Sequence, residues 1–307
     1  MKNTVGRIGI YILSVLLGLL FVVSAYLKVY PIEPLEYVFV SIPGVNWFMA
    51  SFMARLLISM ELLLGGLMIF SFYPRKIYKI VIFVTALFCI YIAYLLLVRG
   101  NDANCLCMGY KVHLSPIHSL LKNSIIILTA LILDKYAGEI IFPFKKQLMY
   151  ILFAVSLVLP HIWNYIELND EKLEYHTTET IHLDSLRYFH WAGDTVDLYE
   201  GKKIVGFFIP GCRYCKFCAQ KMLLIQKKTN SRLPFYIYFT TTKGQVDDFL
   251  KETEGFAFSY NIISEAKFFQ AAGSHYPIVL FVEDGKIIEM HNFKTISQKQ
   301  IESFLKE

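Results

Sequence analysis

The chain has 307 residues, of which 55% are hydrophobic and 16% aromatic, and its mean hydropathy is +0.46. This is too apolar for an ordinary soluble domain, and the length suggests about two domains. The formal charge of +5 is compatible with an acidic partner, but the basic residues are grouped between apolar segments. That grouping is typical of membrane orientation, and we see no signal for nucleic-acid binding.

Five apolar segments predict a membrane α-helical bundle over residues 1–165, because each segment is near the roughly 20 residues needed to span a bilayer. The first segment exceeds the roughly 7 to 15 apolar residues of a signal peptide and ends without a small-residue cleavage site, so we interpret it as a retained helix. The segments cover approximately 8–29, 47–70, 77–99, 117–134 and 147–165.

The lysine and arginine residues of the short loops predict the orientation of the bundle. The more basic side faces the cytoplasm, and the N-terminus lies on that side. With five crossings, loop 100–116 and everything after about residue 166 are then periplasmic, so we expect a multi-pass protein of the bacterial inner (cytoplasmic) membrane. The more basic side carries Lys2, Arg7, Arg75, Lys76, Lys79, Lys135, Lys145 and Lys146, and the other carries Lys28, Arg99 and Lys111.

The remainder of the chain predicts a polar linker over 166–192 and an α/β domain over 193–307. Strand and helix signals alternate there, and Asp284-Gly285 between two β-type runs predicts a hairpin, so we expect a mixed sheet. The predicted strands are 203–209, 234–240, 278–282 and 286–290; the predicted helices are 212–228, 245–253, 265–272 and a last one capped by Ser297.

The six cysteines are grouped in a way that indicates reversible disulfide exchange. Close pairs are poor at closing long structural loops, and they are suited to exchange in a compartment that permits disulfides. The groups are Cys105 and Cys107 as C-x-C, and Cys212, Cys215 and Cys218 as C-x-x-C-x-x-C, with Cys89 alone in an apolar run. The predicted topology places both groups on the same side of the membrane.

Cys212 and Cys215 lie where a buried strand meets a helix, which is where a reactive dithiol is expected. The helix N-terminus and the charge of Arg213 should lower the pKa of the Cys212 thiol. The alternatives are a structural pair or a metal site, although a ferredoxin-type run needs a further cysteine where Met222 stands. Cys218 either competes for a disulfide or packs as a small apolar residue.

The strand, the C-x-x-C pair and Tyr276-Pro277 at the start of the hairpin resemble a thioredoxin-like domain over its full length. The resemblance implies that Cys212 is the attacking thiolate and Cys215 the resolving thiol. It also implies a cis-proline at Pro277, with Tyr276 and Pro277 forming the groove for a substrate peptide. We count Arg213 and Tyr214 with that groove.

The first half of the chain resembles the MauE-like and DoxX-like families of small helical membrane proteins. The likeness lies in 17–28, in Arg55-Leu56-Leu57 with 61–65, and above all in Asn104-Cys105-Leu106-Cys107-Met108-Gly109. The last is close to the MauE-like Asn-Cys-Gly-Cys-Phe-Gly, with Leu106 in place of the glycine and Met108 in place of the phenylalanine. The resemblance implies disulfide handling during maturation of exported proteins, and a distant likeness to the quinone-linked vitamin K epoxide reductase type.

A disulfide across one intervening residue is strained and therefore more oxidising. Cys105 and Cys107 would thus suit an electron acceptor for Cys212 and Cys215; the alternative is a pair of reduced thiols that pack the loop. Cys89 lies about 15 Å below the outer end of its span, whereas disulfide partners need Cα atoms within about 7 Å, so we predict a core residue.

Glu61 is near the middle of the second span and should face the bundle interior, because a carboxylate is costly in lipid. Its candidate partners are Arg55, Lys28 and Asn123. The functional interpretations are proton uptake or a quinone contact, and the alternative is a structural polar pair.

Together these features predict a thiol:disulfide oxidoreductase whose partners are exported protein thiols or disulfides and membrane lipid. We expect no metal and no covalently bound cofactor, and a membrane quinone is the candidate terminal acceptor. The alternatives are an outward-directed thiol reductase and a non-catalytic membrane-anchored assembly or maturation factor.

Overall fold

The computed structural model describes residues 4–101, 105–112, 114–138, 143–164, 186–255, 258–273 and 276–306. The chain divides into two compact units, Met1–Glu167 and Leu168–Glu307, and each is described by itself. Lys2 and Asn104, which the sequence patterns include, lie outside the described residues.

The first unit is a helical bundle. Within the described residues, five of its helices are long and apolar enough to cross a membrane, which confirms the predicted spans. They are α1 (Thr4–Val29), α3 (Trp47–Ile69), α4 (Pro74–Arg99), α5 (Pro116–Tyr136) and α6 (Lys145–Trp163), and a short α2 (Glu33–Val40) follows α1. Helix α2 is missing from the sequence prediction because its eight residues carry no long apolar run.

Side-chain caps begin two of the membrane helices. The side chain of Asn46 accepts a hydrogen bond from the Met49 N–H at the start of α3, and Ser115 accepts one from the His118 N–H at the start of α5. These caps satisfy N–H groups that have no partner within the helix. They fix where each helix begins on the side that carries the C-x-C loop.

Two glycines let α1 and α3 approach closely. A Cβ added at Gly18 would lie 2.7 Å from the Gly65 carbonyl oxygen, and one added at Gly65 would lie 2.8 Å from the Gly18 oxygen. The helices therefore pack backbone to backbone at this level. The close approach brings the last turns of α1 beside the middle of α3, where Glu61 lies.

The second unit contains a five-stranded mixed sheet with the strand order β5-β4-β3-β6-β7. Strands β3, β4 and β5 run parallel, and β6 and β7 are antiparallel additions on the other side of β3. This order, with a C-x-x-C pair directly after the central strand, is a thioredoxin-like fold and confirms the predicted class. The strands are β3 (Lys202–Phe208), β4 (Phe235–Phe239), β5 (Ser259–Ile262), β6 (Ile278–Glu283) and β7 (Lys286–His291).

In the described part of this unit, four helices and a small hairpin accompany the sheet. The helices are α7 (Arg213–Thr229), α8 (Lys243–Thr253), α9 (Glu265–Ala272) and α10 (Gln298–Lys306), and the hairpin joins β1 (Tyr188–Trp191) to β2 (Asp194–Asp197). Strand β1 falls within the stretch expected to be linker, so regular structure begins before residue 193.

Local sequence explains how the sheet presents the C-x-x-C pair. The five residues from Ile204 to Phe208 are buried, as expected for a central strand. The hairpin between β6 and β7 turns at Asp284 and Gly285, whose φ angles of 48° and 78° match the turn favoured by Asp-Gly. Strand β6 thus folds back along β3 and carries the segment before Ile278 toward the end of β3.

Candidate functional site

Cys212 and Cys215 lie at the N-terminus of α7. Cys212 is the N-cap residue with extended backbone, and its N–H donates to the Ile209 carbonyl over 2.9 Å. Cys215 is fully buried one turn into the helix, and its sulfur accepts a hydrogen bond of 3.4 Å from the Ile209 N–H. Cys212 is only half-buried, so it is the more accessible of the two sulfurs.

The two thiols differ in acidity. A hydrogen bond from the Cys215 thiol, followed by backbone N–H groups of Cys215 and Tyr214 and the charge of Arg213, lowers the pKa of Cys212 to about 6 against the opposing effect of burial. Burial and the neighbouring Cys212 raise the pKa of Cys215 well above its ordinary value. The arrangement therefore holds a thiolate at the accessible position and a thiol at the buried one.

Cys218 is separated from this chemistry by burial. Its side chain is fully enclosed beneath α7, and burial raises its pKa to about 12. A thiol that keeps its proton and has no access to solvent is a poor nucleophile. The geometry thus favours packing, the second of the two interpretations that the sequence leaves open.

The two residues that follow Cys212 at the start of α7 make aromatic contacts. The ring of Tyr214 stacks on Phe293 with centroids 4.6 Å apart, and the guanidinium of Arg213 lies 5.0 Å from the centre of the Tyr214 ring. The Tyr276–Pro277 bond is cis, and Tyr276 is 39% exposed. Since β3 pairs Phe207 with Ile278, the chain that carries Pro277 runs beside the segment that leads from β3 to Cys212.

The loop with the second cysteine pair packs into the bundle. Cys105 is buried against Ile92 and Leu95 of α4, and its sulfur lies 2.9 Å from the Ser119 hydroxyl of α5. The Cys107 N–H donates to the Cys105 sulfur over 3.3 Å. Leu106 between them has a φ of 54°, a left-handed conformation that favours glycine, the residue that MauE-like sequences have there.

The loop thiols show the same division of acidity as the first pair, although here the more acidic Cys105 is the buried residue and Cys107 is half-buried. Hydrogen bonding from Cys107, then from Ser119 and the Cys107 N–H, together with the charge of Lys122, lowers the pKa of Cys105 to about 6 although burial opposes it. The hydrogen bond to the Cys105 side chain, burial and the charge on Cys105 raise the pKa of Cys107. One sulfur of this pair therefore favours the thiolate, and the other keeps its proton.

A buried ion pair lies directly beneath the loop. The ammonium of Lys28 donates to both carboxylate oxygens of Glu61 over 2.7 and 2.8 Å, and also to the Ser24 hydroxyl over 2.7 Å. That hydroxyl is 3.1 Å from Glu61 and 3.2 Å from the Cys107 carbonyl oxygen. The ion pair is thus joined to the backbone of the dithiol loop through one serine.

The ion pair and Cys107 line a common cavity of about 40 Å³. Lys122 and the buried Asn123 of α5 line it as well, so Asn123 belongs to this polar group. A cavity of this size holds water, whereas benzene occupies an engineered cavity of about 150 Å³.

Arg55, one of the three candidate partners of Glu61, is placed elsewhere. Its guanidinium donates to Glu36 over 2.6 Å and to the Asn164 carbonyl over 2.5 Å. A separation of six residues turns the side-chain direction by about 240° around the helix axis, so Arg55 and Glu61 face different sides of α3. The pairing of Arg55 with Glu61 is therefore a wrong expectation, and Lys28 is the partner.

The depth of the loop also shortens the separation along α4 between Cys89 and the loop dithiol. The sequence estimate placed Cys89 about 15 Å below the dithiol because it assumed a loop at the outer end of α4. Cys105 instead packs against Ile92, which is seven residues before the end of α4 and three residues after Cys89. Cys89 itself is half-buried in the bundle.

Sequence reasoning missed three residues around the loop, namely Ser24, Ser119 and Lys122. Their signal is helical spacing: Ser24 lies four residues before Lys28, and Ser119 lies three and four residues before Lys122 and Asn123. Residues at these spacings share one face of a helix. Polar residues repeated on one face of an apolar helix would have identified the site.

The architecture is a multi-pass helical membrane domain followed by a thioredoxin-like domain, each with its own close cysteine pair. Residues 7–133 match the family described as methylamine utilisation protein MauE, so the membrane domain is MauE-like, as predicted.

Similar proteins span one or both domains. Protein TlpB of Flavobacterium psychrophilum is 25% identical over 334 residues, covering 92% of this chain and 90% of that protein. Among solved structures, the thioredoxin domain of a thiol-disulfide oxidoreductase from Bacteroides vulgatus is 14% identical, with 38% of this chain and 91% of that chain covered and a TM-score of 0.33. A putative protein disulfide isomerase from Bacteroides thetaiotaomicron is 17% identical, with 43% and 91% covered and a TM-score of 0.33.

Proposed function

We propose that this chain is a membrane-bound thiol:disulfide oxidoreductase that acts on exported proteins through Cys212. The observation that carries the proposal is the division of roles within the first pair. Cys212 is accessible and its pKa is lowered to about 6, while Cys215 is buried beside it with a raised pKa. Exchange needs these two properties, a thiolate that attacks and a second thiol held in reserve.

The exchange proceeds in two balanced steps. In the reducing direction, the Cys212 thiolate attacks one sulfur of a client disulfide; the bond to Cys212 forms, the client bond breaks and the other client sulfur leaves as a thiolate. Cys215 then gives up its proton to the client sulfur that has left and attacks the Cys212 sulfur. The second client sulfur leaves, so the client is released with one thiol and one thiolate, and a Cys212–Cys215 disulfide remains. Oxidation of a client is the reverse. The exposed Tyr276 with Pro277, Arg213 and Tyr214 would bind the client segment next to its reacting sulfur.

The loop pair is the proposed electron partner of the first pair. Cys105 and Cys107 repeat the same division of acidity, with a pKa of about 6 at Cys105 and a raised pKa at Cys107. The charge pattern of the loops supports placing both pairs on the periplasmic side of the inner membrane. In the oxidative direction, electrons pass from the client to Cys212 and Cys215 and then to the loop disulfide.

A membrane quinone is the proposed terminal acceptor of those electrons. The cavity beneath Cys107, at about 40 Å³, is too small for a quinone ring. A quinone would therefore approach the loop from outside this cavity, and no covalently bound cofactor is needed for the thiol steps.

Trapping of the mixed disulfide tests the proposal. We expect Cys215→Ser to accumulate client proteins linked through Cys212, because serine cannot resolve the intermediate. Cys212→Ser should give no adduct. Cys218→Ala is the control, since it changes the third cysteine of the same run, and it should behave as the wild type. Unchanged client maturation in Cys212→Ser would overturn the enzymatic function in favour of a non-catalytic assembly factor.

The redox state of the two cysteine pairs in untreated cells distinguishes the two directions of electron flow. Acid quench and thiol alkylation of intact cells should find both pairs mainly oxidised, and quinone depletion should make them reduced. Pairs that are mainly reduced in untreated cells would contradict the oxidative direction and support an outward-directed reductase.

A further inference from the structure

Lys122 is a cation near the Cys105–Cys107 pair, and the steps above give it no role. It lines the same cavity as Cys107, Lys28 and Glu61, and its charge favours the thiolate forms of both loop cysteines. It lies three residues after Ser119, whose hydroxyl is 2.9 Å from the Cys105 sulfur. The face of α5 that supplies a hydrogen bond to the loop therefore also supplies a charge.

The second lysine at the cavity, Lys28, already has a partner of opposite charge. Lys28 binds both oxygens of Glu61 at 2.7 and 2.8 Å, and this ion pair is almost wholly enclosed. Of the described residues that line the cavity, Glu61 is the one carboxylate, so the cavity carries one positive charge more than negative when Lys122 is protonated. Burial makes such a surplus costly unless an anion forms nearby.

Reduction of the loop disulfide creates that anion. A Cys212 thiolate with a Cys215 thiol carries one negative charge and one proton, and a Cys105 thiolate with a Cys107 thiol carries the same. When two electrons pass from the first pair to the second, the Cys105–Cys107 bond breaks, the Cys212–Cys215 bond forms, and one negative charge and one proton move to the loop. The charge then lies on the Cys105 sulfur, which is 3.3 Å from the backbone nitrogen of Cys107, a residue that lines the cavity.

We propose that Lys122 is the counter-cation of the thiolate formed when the Cys105–Cys107 disulfide is reduced, and that the Lys28–Glu61 pair is the neutral support that holds the loop through Ser24. This inference rests on the proposed function in one respect, that the loop pair undergoes disulfide exchange. Lys122 is a positioning residue that sets how readily the loop accepts electrons.

The test is a redox titration of the full chain in detergent against mixtures of reduced and oxidised glutathione. Alkylation and mass measurement of the peptide with Cys105 and Cys107 report the reduced fraction. We expect Lys122→Met to lower the equilibrium constant for reduction on the order of tenfold, which is about 30 mV for a two-electron couple. Lys122→Arg should restore it, and Glu61→Gln should shift it in the opposite direction because it removes a negative charge. Lys111→Met removes a positive charge from the same loop and should leave the equilibrium constant for reduction unchanged.

The outcomes separate this inference from the function on which it rests. A wild-type loop pair that does not titrate as a disulfide would overturn both. A normal titration with the same potential in Lys122→Met would overturn the counter-cation alone. Equal shifts in Lys122→Met and Lys122→Arg would also overturn it, since they would indicate a packing role and not a charge.

Discussion

The carbonyl of Leu27 lies so close to Gly109 that a Cβ at position 109 would be 2.3 Å from the Leu27 oxygen. Gly109 also has a φ of +75°, which residues with a side chain rarely adopt. The C-x-C loop is therefore held against the last turn of α1 by a contact that only glycine permits. The same turn carries Lys28, so one short segment positions both the loop and the buried ion pair.

Replacement of Gly109 by alanine should displace the loop. The left-handed backbone costs roughly 1–2 kcal/mol with a side chain, and the clash with the Leu27 carbonyl adds to it. We expect a lower thermal unfolding midpoint and faster alkylation of the otherwise buried Cys105. Gly44→Ala is the matched control, because Gly44 has a φ of +83° and nothing within 4 Å of the added atom. Equal effects of the two changes would mean that the contact with Leu27 is unimportant.

Alkylation of Cys212 should follow a titration with a midpoint at a pH of about 6. Cys215→Ala should raise this pKa more than Arg213→Gln does, because the Cys215 hydrogen bond is the largest cause of the shift and the Arg213 charge a minor one. The rate of iodoacetamide labelling against pH measures each value. A larger shift in Arg213→Gln than in Cys215→Ala would contradict this order of causes.

The same pKa predicts how the stability of the reduced protein depends on pH. Folding lowers the pKa of Cys212 from its ordinary value of 9.0 to about 6. The stabilisation is therefore complete above about pH 9, decreases as the pH falls and is lost below about pH 6. Denaturant unfolding of the reduced wild type and of Cys212→Ser across this range should show the difference, with the serine variant lacking this part of the pH dependence.

Loss of Lys28 should destabilise the bundle severely. Lys28→Met leaves the Glu61 carboxylate buried without its partner, and breaking such a pair typically costs about 3–5 kcal/mol. The double variant Lys28→Met with Glu61→Gln should recover much of this loss, since it removes both charges. Thermal unfolding in detergent measures each step, with the exposed Lys111→Met as a control expected within about 0.5 kcal/mol. A double variant no more stable than Lys28→Met would argue against the pair as the cause.

Cys218 should be dispensable for exchange. Its side chain is fully buried and its pKa is raised to about 12, so Cys218→Ala should leave client trapping and the Cys212 titration unchanged. Cys218→Ser should be less stable than Cys218→Ala, because burying an unpartnered hydroxyl costs about 1–3 kcal/mol. Loss of trapping in a folded Cys218→Ala variant would show that this third cysteine takes part in the exchange.

The sequence predicts the features that depend on local patterns. Apolar length identifies the spans, and the C-x-x-C pair after a buried strand, together with Tyr276-Pro277, carries the resemblance that implies the thioredoxin-like fold. Strand β5 is missed because Ser259–Ile262 is short and half polar, and it forms only by pairing with β4. The fold class is therefore accessible from the sequence, while a short edge strand is not.

The surroundings of the loop cysteines depend on contacts between distant segments. The depth of Cys105 is set by the approach of Gly109 to Leu27, and the partner of Glu61 is decided by which face of α3 meets α1. The six-residue spacing of Arg55 and Glu61 within α3 already places these two side chains on different faces, but no spacing within one helix says which residues of α1 and α5 meet Glu61. Only the packed bundle brings Lys28 and Asn123 together with Glu61 at the cavity.

The matching division of acidity in the two cysteine pairs has a consequence for the pH response of electron transfer. Above about pH 6, each reduced pair holds one proton, because the pKa of Cys212 and that of Cys105 are each lowered to about 6 and the pKa values of their partners are raised. The midpoint potentials of both pairs then fall in parallel, by about 30 mV for each pH unit. The proposed transfer between the pairs is consequently insensitive to the surrounding pH, while exchange with a client whose two thiols are both protonated becomes more favourable for client oxidation as the pH rises.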